Sequence, residues 1–487
     1  MRMGKKYILS VIVVLGFAFS LGFFGCATNP ATGKSTLNLV GESREIQMGR
    51  QADKEITASI GLYPDEDLQT YIRDLGARLA SASERPKLPW TFRVVDDPAV
   101  NAFALPGGFI YVTRGILAYL NSEAELAGVI GHEIGHVTAQ HAVQRISSQE
   151  LMQVGLGVGM AIEPGLQQFG QVIGAGLGLL MLKFSREDEN EADSLGVRYM
   201  GRVKYDSREM VRVMGMLDAV GKSGGGGRVP EWLATHPDPG NRKEHIREIV
   251  SNSKVDFSQT VVYGDEYLGR IDGIAFGQNP REGYFQKNVF FHPELKFRYE
   301  FPGGWSTSNT KQAVNGVSKA QDALIQITLV QDATPDKAAQ RFFAQEGVLM
   351  EEDPRTVKLH GFQAVRGVFL AQTAGGALKG VALFVLYGKN VYQILGYSTA
   401  PAWPSYQSAI ERSTQSFDEV TDPKVLSVQP MRLQIVTLDA EMDLKEFARR
   451  YPSPVSLDTL ALINQVGKDA RLEAGLKMKR VTGEKTP

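Results

Sequence analysis

Ser122-Glu123-Ala124-Glu125-Leu126-Ala127-Gly128-Val129-Ile130-Gly131-His132-Glu133-Ile134-Gly135-His136-Val137 is the stretch whose reading decides the fold. Ser122 as N-cap with Glu125 at the third helical position forms a capping box. Leu126, Val129, Ile130, Ile134 and Val137 then recur at helical spacing and make the buried side of the helix. His132 and His136 stand four positions apart, so the helix sets both imidazoles on one face, one turn apart, where they can grip one metal ion. Glu133 lies beside them, within reach of a water on that metal. Two histidines and a glutamate on a buried helix need partners, and a zinc ion supplies one.

A third ligand is expected from Ser185-Arg-Glu-Asp-Glu-Asn-Glu-Ala-Asp-Ser-Leu-Gly196. Glu189 and Asp193 are again four apart, hence on one helical face. Glu189 suits a His-His-Glu site with an open fourth position, and Asp193 suits the hydrogen bond that orients a ligand histidine. Glu187, Asp188 and Glu191 read as the solvated side of that helix. His141 falls five residues past His136, about 140° further round a continuous helix, so it is expected to face elsewhere as a structural histidine. A metzincin pattern needs Gly and His where Ala139 and Ala142 stand, and is set aside.

Four motifs in order carry a family resemblance. They are Asn101-Ala-Phe-Ala-Leu-Pro-Gly-Gly-Phe-Ile-Tyr-Val112, the His-Glu-Ile-Gly-His run, Glu189 with Ala192-Asp193, and His236-Pro237. Over residues 35–255 the chain resembles the HtpX/BepA-like zinc metallopeptidases of family 48. The resemblance implies one zinc per chain held by His132, His136 and Glu189, with Glu133 as catalytic base. A zinc-bound water titrates near pH 7 instead of ~15.7, which makes peptide hydrolysis at neutral pH accessible. His236 sits in a Pro- and Gly-rich loop, and two roles stay open for it: a removable fourth ligand, as in BepA-like relatives, or a donor to the oxyanion. Arg242 is expected to stand behind the ligands or to bind substrate. Gly108, Phe109 and Ile110 begin a strand entered by a tight turn, and its edge is expected to hold an extended substrate by β-augmentation.

The chain has 487 residues, 43% of them hydrophobic and 22% charged, with a net charge of −1. This length exceeds one core, and the balanced charge gives no electrostatic case for nucleic acid. Arg2, Lys5 and Lys6 precede an apolar run from Tyr7 to Phe24 that ends at Gly25-Cys26, and Cys26 is the single cysteine. Residues 1–25 therefore read as a lipoprotein signal peptide and Cys26 as the lipidated residue, although Phe23 departs from the usual Leu. An uncleaved membrane anchor is the alternative. Ala27 after the cysteine suggests the periplasmic face of the outer membrane.

The fold class expected is α+β. A mainly helical zincin domain with a small active-site sheet covers 26–255, and an irregular linker covers 256–284. An α+β sandwich module that resembles PsbP-like domains covers 285–420, and a βααβ module that resembles a degenerate LysM domain covers 430–483. The Gly-rich stretch 150–184 reads as a lid, a membrane-facing hairpin or a tightly packed connection, and Ser223 to Gly227 as a flexible loop. The resemblance and the signal segment together imply misfolded or stalled envelope proteins as substrates. Peptidoglycan or the outer-membrane assembly machinery are further expected partners. A chaperone or assembly scaffold with a latent zinc site is the competing reading, and a cell-wall-binding lipoprotein resting on the last module a third.

Overall fold

The computed structural model describes residues 26–155, 179, 182–223, 232, 235–373 and 375–485. The expected signal peptide, most of the Gly-rich stretch and most of the Ser223–Gly227 loop lie outside the described residues. Among the described residues no helix is long and apolar enough to cross a membrane.

The histidine helix, Glu123–Thr138, is buried along its whole length. Ser122 Oγ accepts from Glu125 N at 3.1 Å, while the Glu125 carboxylate accepts from Asn121 N at 2.6 Å, one residue earlier than a capping box requires. The acidic helix, Arg186–Arg202, starts at a complete capping box made by Ser185 and Asp188. These two helices cross at glycines. A Cβ on Gly131 would lie 3.3 Å from Gly196 Cα, one on Gly196 3.1 Å from His132 N, and one on Gly135 2.9 Å from Ala192 O. Only hydrogen-sized side chains permit this approach, and the approach brings carboxylates of one helix onto imidazoles of the other. Helices Glu42–Ser59, Glu66–Ser81, Glu209–Ser223 and Pro239–Asn252 complete the shell.

Beside the histidine helix lies a three-stranded sheet in the order Thr91–Val95, Phe109–Thr113, Ala102–Leu105. The first pair is parallel and the second antiparallel. Phe109–Thr113 is thus the central strand with both edges paired. That corrects the expectation for Gly108, Phe109 and Ile110: the strand with a free outer edge among the described residues is Ala102–Leu105. Buried Arg85 ties the sheet to the helix. It donates to Val137 O at 3.0 Å at the helix C-terminus and pairs with Glu45 at 2.8 Å, while Glu45 accepts from Gly107 N at 3.0 Å.

The stretch 256–284 is not an irregular linker. It contains helix Gly264–Ile271, whose Tyr267, Leu268 and Ile271 enter the same core as the histidine helix. Its strand Ala275–Phe276 pairs with Met431–Thr437 of the last module. That module has helices Leu444–Arg450 and Leu457–Asn464 between strands Met431–Thr437 and Lys477–Thr482. Its apolar residues, among them Leu433, Phe447, Leu460 and Val481, share one continuous core with Leu126 and Ile130. Fully buried Lys479 donates at 2.8 Å to both Ala118 O and Leu120 O, just ahead of the histidine helix. Burial pulls its ammonium down to about 7.

Between them in the chain comes a seven-stranded antiparallel sheet in which Gly376–Tyr387 is an interior strand, next to the central Asn390–Thr399. Val381, Leu383 and Val385 face one core, with helix Trp403–Thr414, and Ala382 and Phe384 face the other, with helix Pro335–Phe343. Cover on both faces explains why this strand reads as a continuous apolar run.

The glycine crossing yields a first expectation. Gly135→Ala should destabilise the protein by about 1–3 kcal/mol, because backbone on the facing helix cannot yield, despite alanine's better helix propensity. A rise in the urea midpoint relative to wild type would refute it.

Candidate metal centre

The acidic helix aims Glu189 at the two imidazoles of the histidine helix. His136 Nε2 stands 3.0 Å from His132 Nε2, and the Glu189 carboxylate oxygens lie 3.6 Å from each of these nitrogens. His236 closes the group from above: its Nδ1 is 2.9 Å from Glu189 Oε1 and 3.4 Å from His132 Nε2. One donor atom from each of the four residues falls within 4.8 Å of the others, and all four side chains are buried. Two or three imidazoles with one carboxylate are the donor chemistry zinc takes. Glu133 supports the same fit, because its Oε1 is buried, meets no hydrogen-bond partner among the described residues, and lies 3.8 Å from His236 Nε2.

His236 donates its N–H to Trp232 O at 2.7 Å, and the Trp232 ring stacks on its imidazole at 5.0 Å. Asp238 follows in the left-handed region at φ 65° and caps helix Pro239–Asn252. That helix delivers Arg242. Its guanidinium donates to Asp193 at 2.6 and 2.8 Å and pairs with Glu189 at 2.8 Å. It also lies 4.8 Å from the Trp232 ring centre. Arg242 is buried at 3% exposure, packs behind the donors, and is not among the residues that line the cavity beside them. Asp193 also meets His132 Nδ1 at 2.9 Å, so the carboxylate fixes that ring's orientation.

Charges follow from this packing. Burial opposes ionisation of Glu189, yet His236 and Arg242 outweigh it and hold its carboxyl below the usual range. Burial also opposes Asp193, and Arg242 overrides it, leaving that carboxyl far below its ordinary value. Burial, reinforced by the neighbouring imidazoles, keeps His136 well below the normal histidine range, in the neutral form a metal needs. For His236 burial works against the charged ring, but Glu189 pushes it upward. Burial raises the Glu133 carboxyl against the pull of His236 and His132.

Two residues depart from the sequence reading. The histidine helix ends at Thr138, Gln140 turns through φ 58°, and a new helix starts at His141. The continuous-helix geometry therefore fails, and His141 folds back with its Nδ1 2.9 Å from His136 Nδ1. Glu191, expected in solvent, lies 3.1 Å from His141 Nε2. Phe184 also escaped notice; it stacks on His136 with ring centres 4.2 Å apart. Cys26 contributes backbone to a short strand paired with Ser35–Leu37. A cavity beside the donors is lined by Phe103 and Ala104 of strand Ala102–Leu105 and by Asn101 and Pro106 on either side of it, together with Glu133, Phe184 and His236.

The buried charge cluster gives a second expectation. Arg242→Met leaves Asp193 and Glu189 without their cation and should cost about 3–5 kcal/mol in the metal-free protein. Chemical denaturation in chelator checks this, and a loss below about 1 kcal/mol would contradict it.

Comparison with known proteins follows the same residues. The profile of peptidase family M48 matches residues 66–250. The beta-barrel assembly-enhancing protease of Escherichia coli strain K12 is 31% identical over 246 residues, 47% of this chain and 50% of that one. The mitochondrial metalloendopeptidase OMA1 of Schizosaccharomyces pombe is 30% identical over 236 residues, 46% of this chain and 67% of that one. The chain thus spans about half the length of the first of these relatives. The solution structure of a cyanobacterial PsbP from Synechocystis aligns with 28% of this chain and 95% of that one, at 12% identity and a TM-score of 0.24. On the strength of the matched segment and the identity to its relatives, the chain belongs to peptidase family M48, the zinc metallopeptidases.

Proposed function

We propose that the chain is a zinc endopeptidase of the bacterial cell envelope that cleaves misfolded or stalled envelope proteins. The observation that carries the peptidase reading is the convergence of His132, His136 and Glu189 beside Glu133, which lines the cavity next to strand Ala102–Leu105, an edge strand among the described residues. His132, His136 and Glu189 would hold zinc, which supplies Lewis acidity toward water and a substrate carbonyl. The edge of Ala102–Leu105 would bind an extended peptide through main-chain hydrogen bonds, setting its backbone along the cavity. Glu133, raised by burial, is suited to take a proton from the attacking water and to return one to the leaving amine. Asp193 and Arg242 keep His132 and Glu189 oriented throughout.

The envelope placement is supported by the basic and apolar leader that ends at Cys26, and by the similarity to the beta-barrel assembly-enhancing protease of Escherichia coli. Outer-membrane anchoring through Cys26 and contact with peptidoglycan or assembly machinery belong to this proposal. A second reading, a chaperone or assembly scaffold with a latent site, is favoured by one observation: His236 Nδ1 sits among the metal donors, where it would occupy the open position.

Both readings meet in one experiment on zinc content and casein cleavage. Glu133→Gln should keep one zinc per chain and lower kcat by about 10²–10⁴-fold. His236→Ala should keep zinc and raise basal cleavage if the ring closes the site. Stoichiometric zinc with no cleavage in wild type or His236→Ala would favour the scaffold, and absence of zinc from wild type would overturn both.

A further inference from the structure

We propose that His141 and Glu191 are positioning residues for His136, and that the segment following Cys26 holds them in place. The inference rests on the zinc reading above. His136 Nε2 points into the donor group, 3.0 Å from His132 Nε2. A nitrogen that offers its lone pair to a metal carries no proton, so the proton of a neutral His136 sits on Nδ1. That Nδ1 lies 2.9 Å from His141 Nδ1. Two imidazole nitrogens at that distance share one proton, so His136 donates and His141 accepts. The proton of His141 then sits on Nε2 and donates to Glu191 Oε2 at 3.1 Å. Every atom in the chain receives one role.

The arrangement does for His136 what Asp193 does for His132. Asp193 reaches Nδ1 of His132 directly at 2.9 Å. Glu191, two residues earlier on the same helix, points to another side, and His141 spans the gap as an imidazole spacer. Orienting a ligand ring in this way typically carries 10–100-fold in metal affinity.

The outer end of the chain is built. Glu191 accepts from Asn29 Nδ2 at 3.3 Å and from Lys34 Nζ at 3.4 Å. Asn29 is buried at 2% exposure, and its amide also donates to Ala139 O at 3.2 Å, directly after the histidine helix. Its Oδ1 accepts from Ala31 N and Thr32 N, closing the turn between strands Cys26–Thr28 and Ser35–Leu37. The residues next to Cys26 are thereby fastened to the far side of the metal centre.

The test is zinc affinity by chelator competition on the purified full-length chain, with the metal-free melting temperature measured in parallel. His141→Phe should weaken zinc binding about 10–100-fold. Glu191→Gln should weaken it in the same direction by less, since an amide oxygen can still accept. Asn29→Ala should follow Glu191→Gln. Glu191 is partly solvent-exposed, so its variant decides the matter if His141→Phe fails to fold. Wild-type zinc affinity in the folded variants overturns the proposal, whether or not their metal-free melting temperatures fall, because a purely structural role moves only the latter. Failure of wild type to take zinc would overturn the metal reading and the relay together; zinc binding equal in wild type and variants overturns the relay alone.

Discussion

The closeness of the two central helices is the constraint from which the site follows. Gly131, Gly135 and Gly196 let the histidine helix and the acidic helix meet backbone to backbone, with added methyl groups landing at 2.9–3.3 Å from main-chain atoms. At an ordinary helix separation of about 8–10 Å, a glutamate side chain would still reach across, but with freedom to choose its rotamer. The glycine contact removes that freedom. Glu189 and Asp193 leave their helix already among imidazoles, so little conformational entropy remains to be lost when a cation arrives.

Such packing concentrates acidic groups in a dry interior, and the structure answers with one guanidinium. Arg242 contacts both Asp193 and Glu189 while stacking near Trp232. A planar fork suits this better than a lysine, whose point charge could not serve two carboxylates in fixed directions. Opposing influences then sort the groups: both carboxylates stay ionised, His136 stays neutral, and Glu133, further from the guanidinium, is raised.

Local periodicity made much of this legible. The capping residue, the apolar stripe and the two i, i+4 pairs are contained within single helices, so spacing sets His132 beside His136 and Glu189 beside Asp193, while the zincin pattern and the family resemblance join the two pairs. Whatever depends on where a helix stops was not legible. Thr138-Ala139-Gln140 contains neither glycine nor proline, and Gln140 adopts a left-handed backbone without a sequence marker. His141 was therefore put on the wrong side, and Glu191 with it. Strand order is equally non-local. Nothing within Gly108–Val112 tells whether its edges are free, and the structure gives the outer edge to Ala102–Leu105. The stretch 256–284 looked irregular because its helix is short and its strand has only two residues, paired to a partner more than 150 positions away.

That distant pairing makes the middle sheet an excursion from one core. Leu433, Phe447, Leu460, Met478 and Val481 complete an apolar interior begun by Leu68 and Ile72, and Lys479 satisfies carbonyls at the entrance to the histidine helix. During synthesis, the strands and helices of residues 431–482 must therefore emerge before the hydrophobic interior around the histidine helix can close. A product that stops before residue 431 lacks Leu433, Phe447, Leu460, Met478 and Val481 from that interior. The order of the chain itself thus couples the packing around the donor cluster to the arrival of a segment some hundreds of positions downstream.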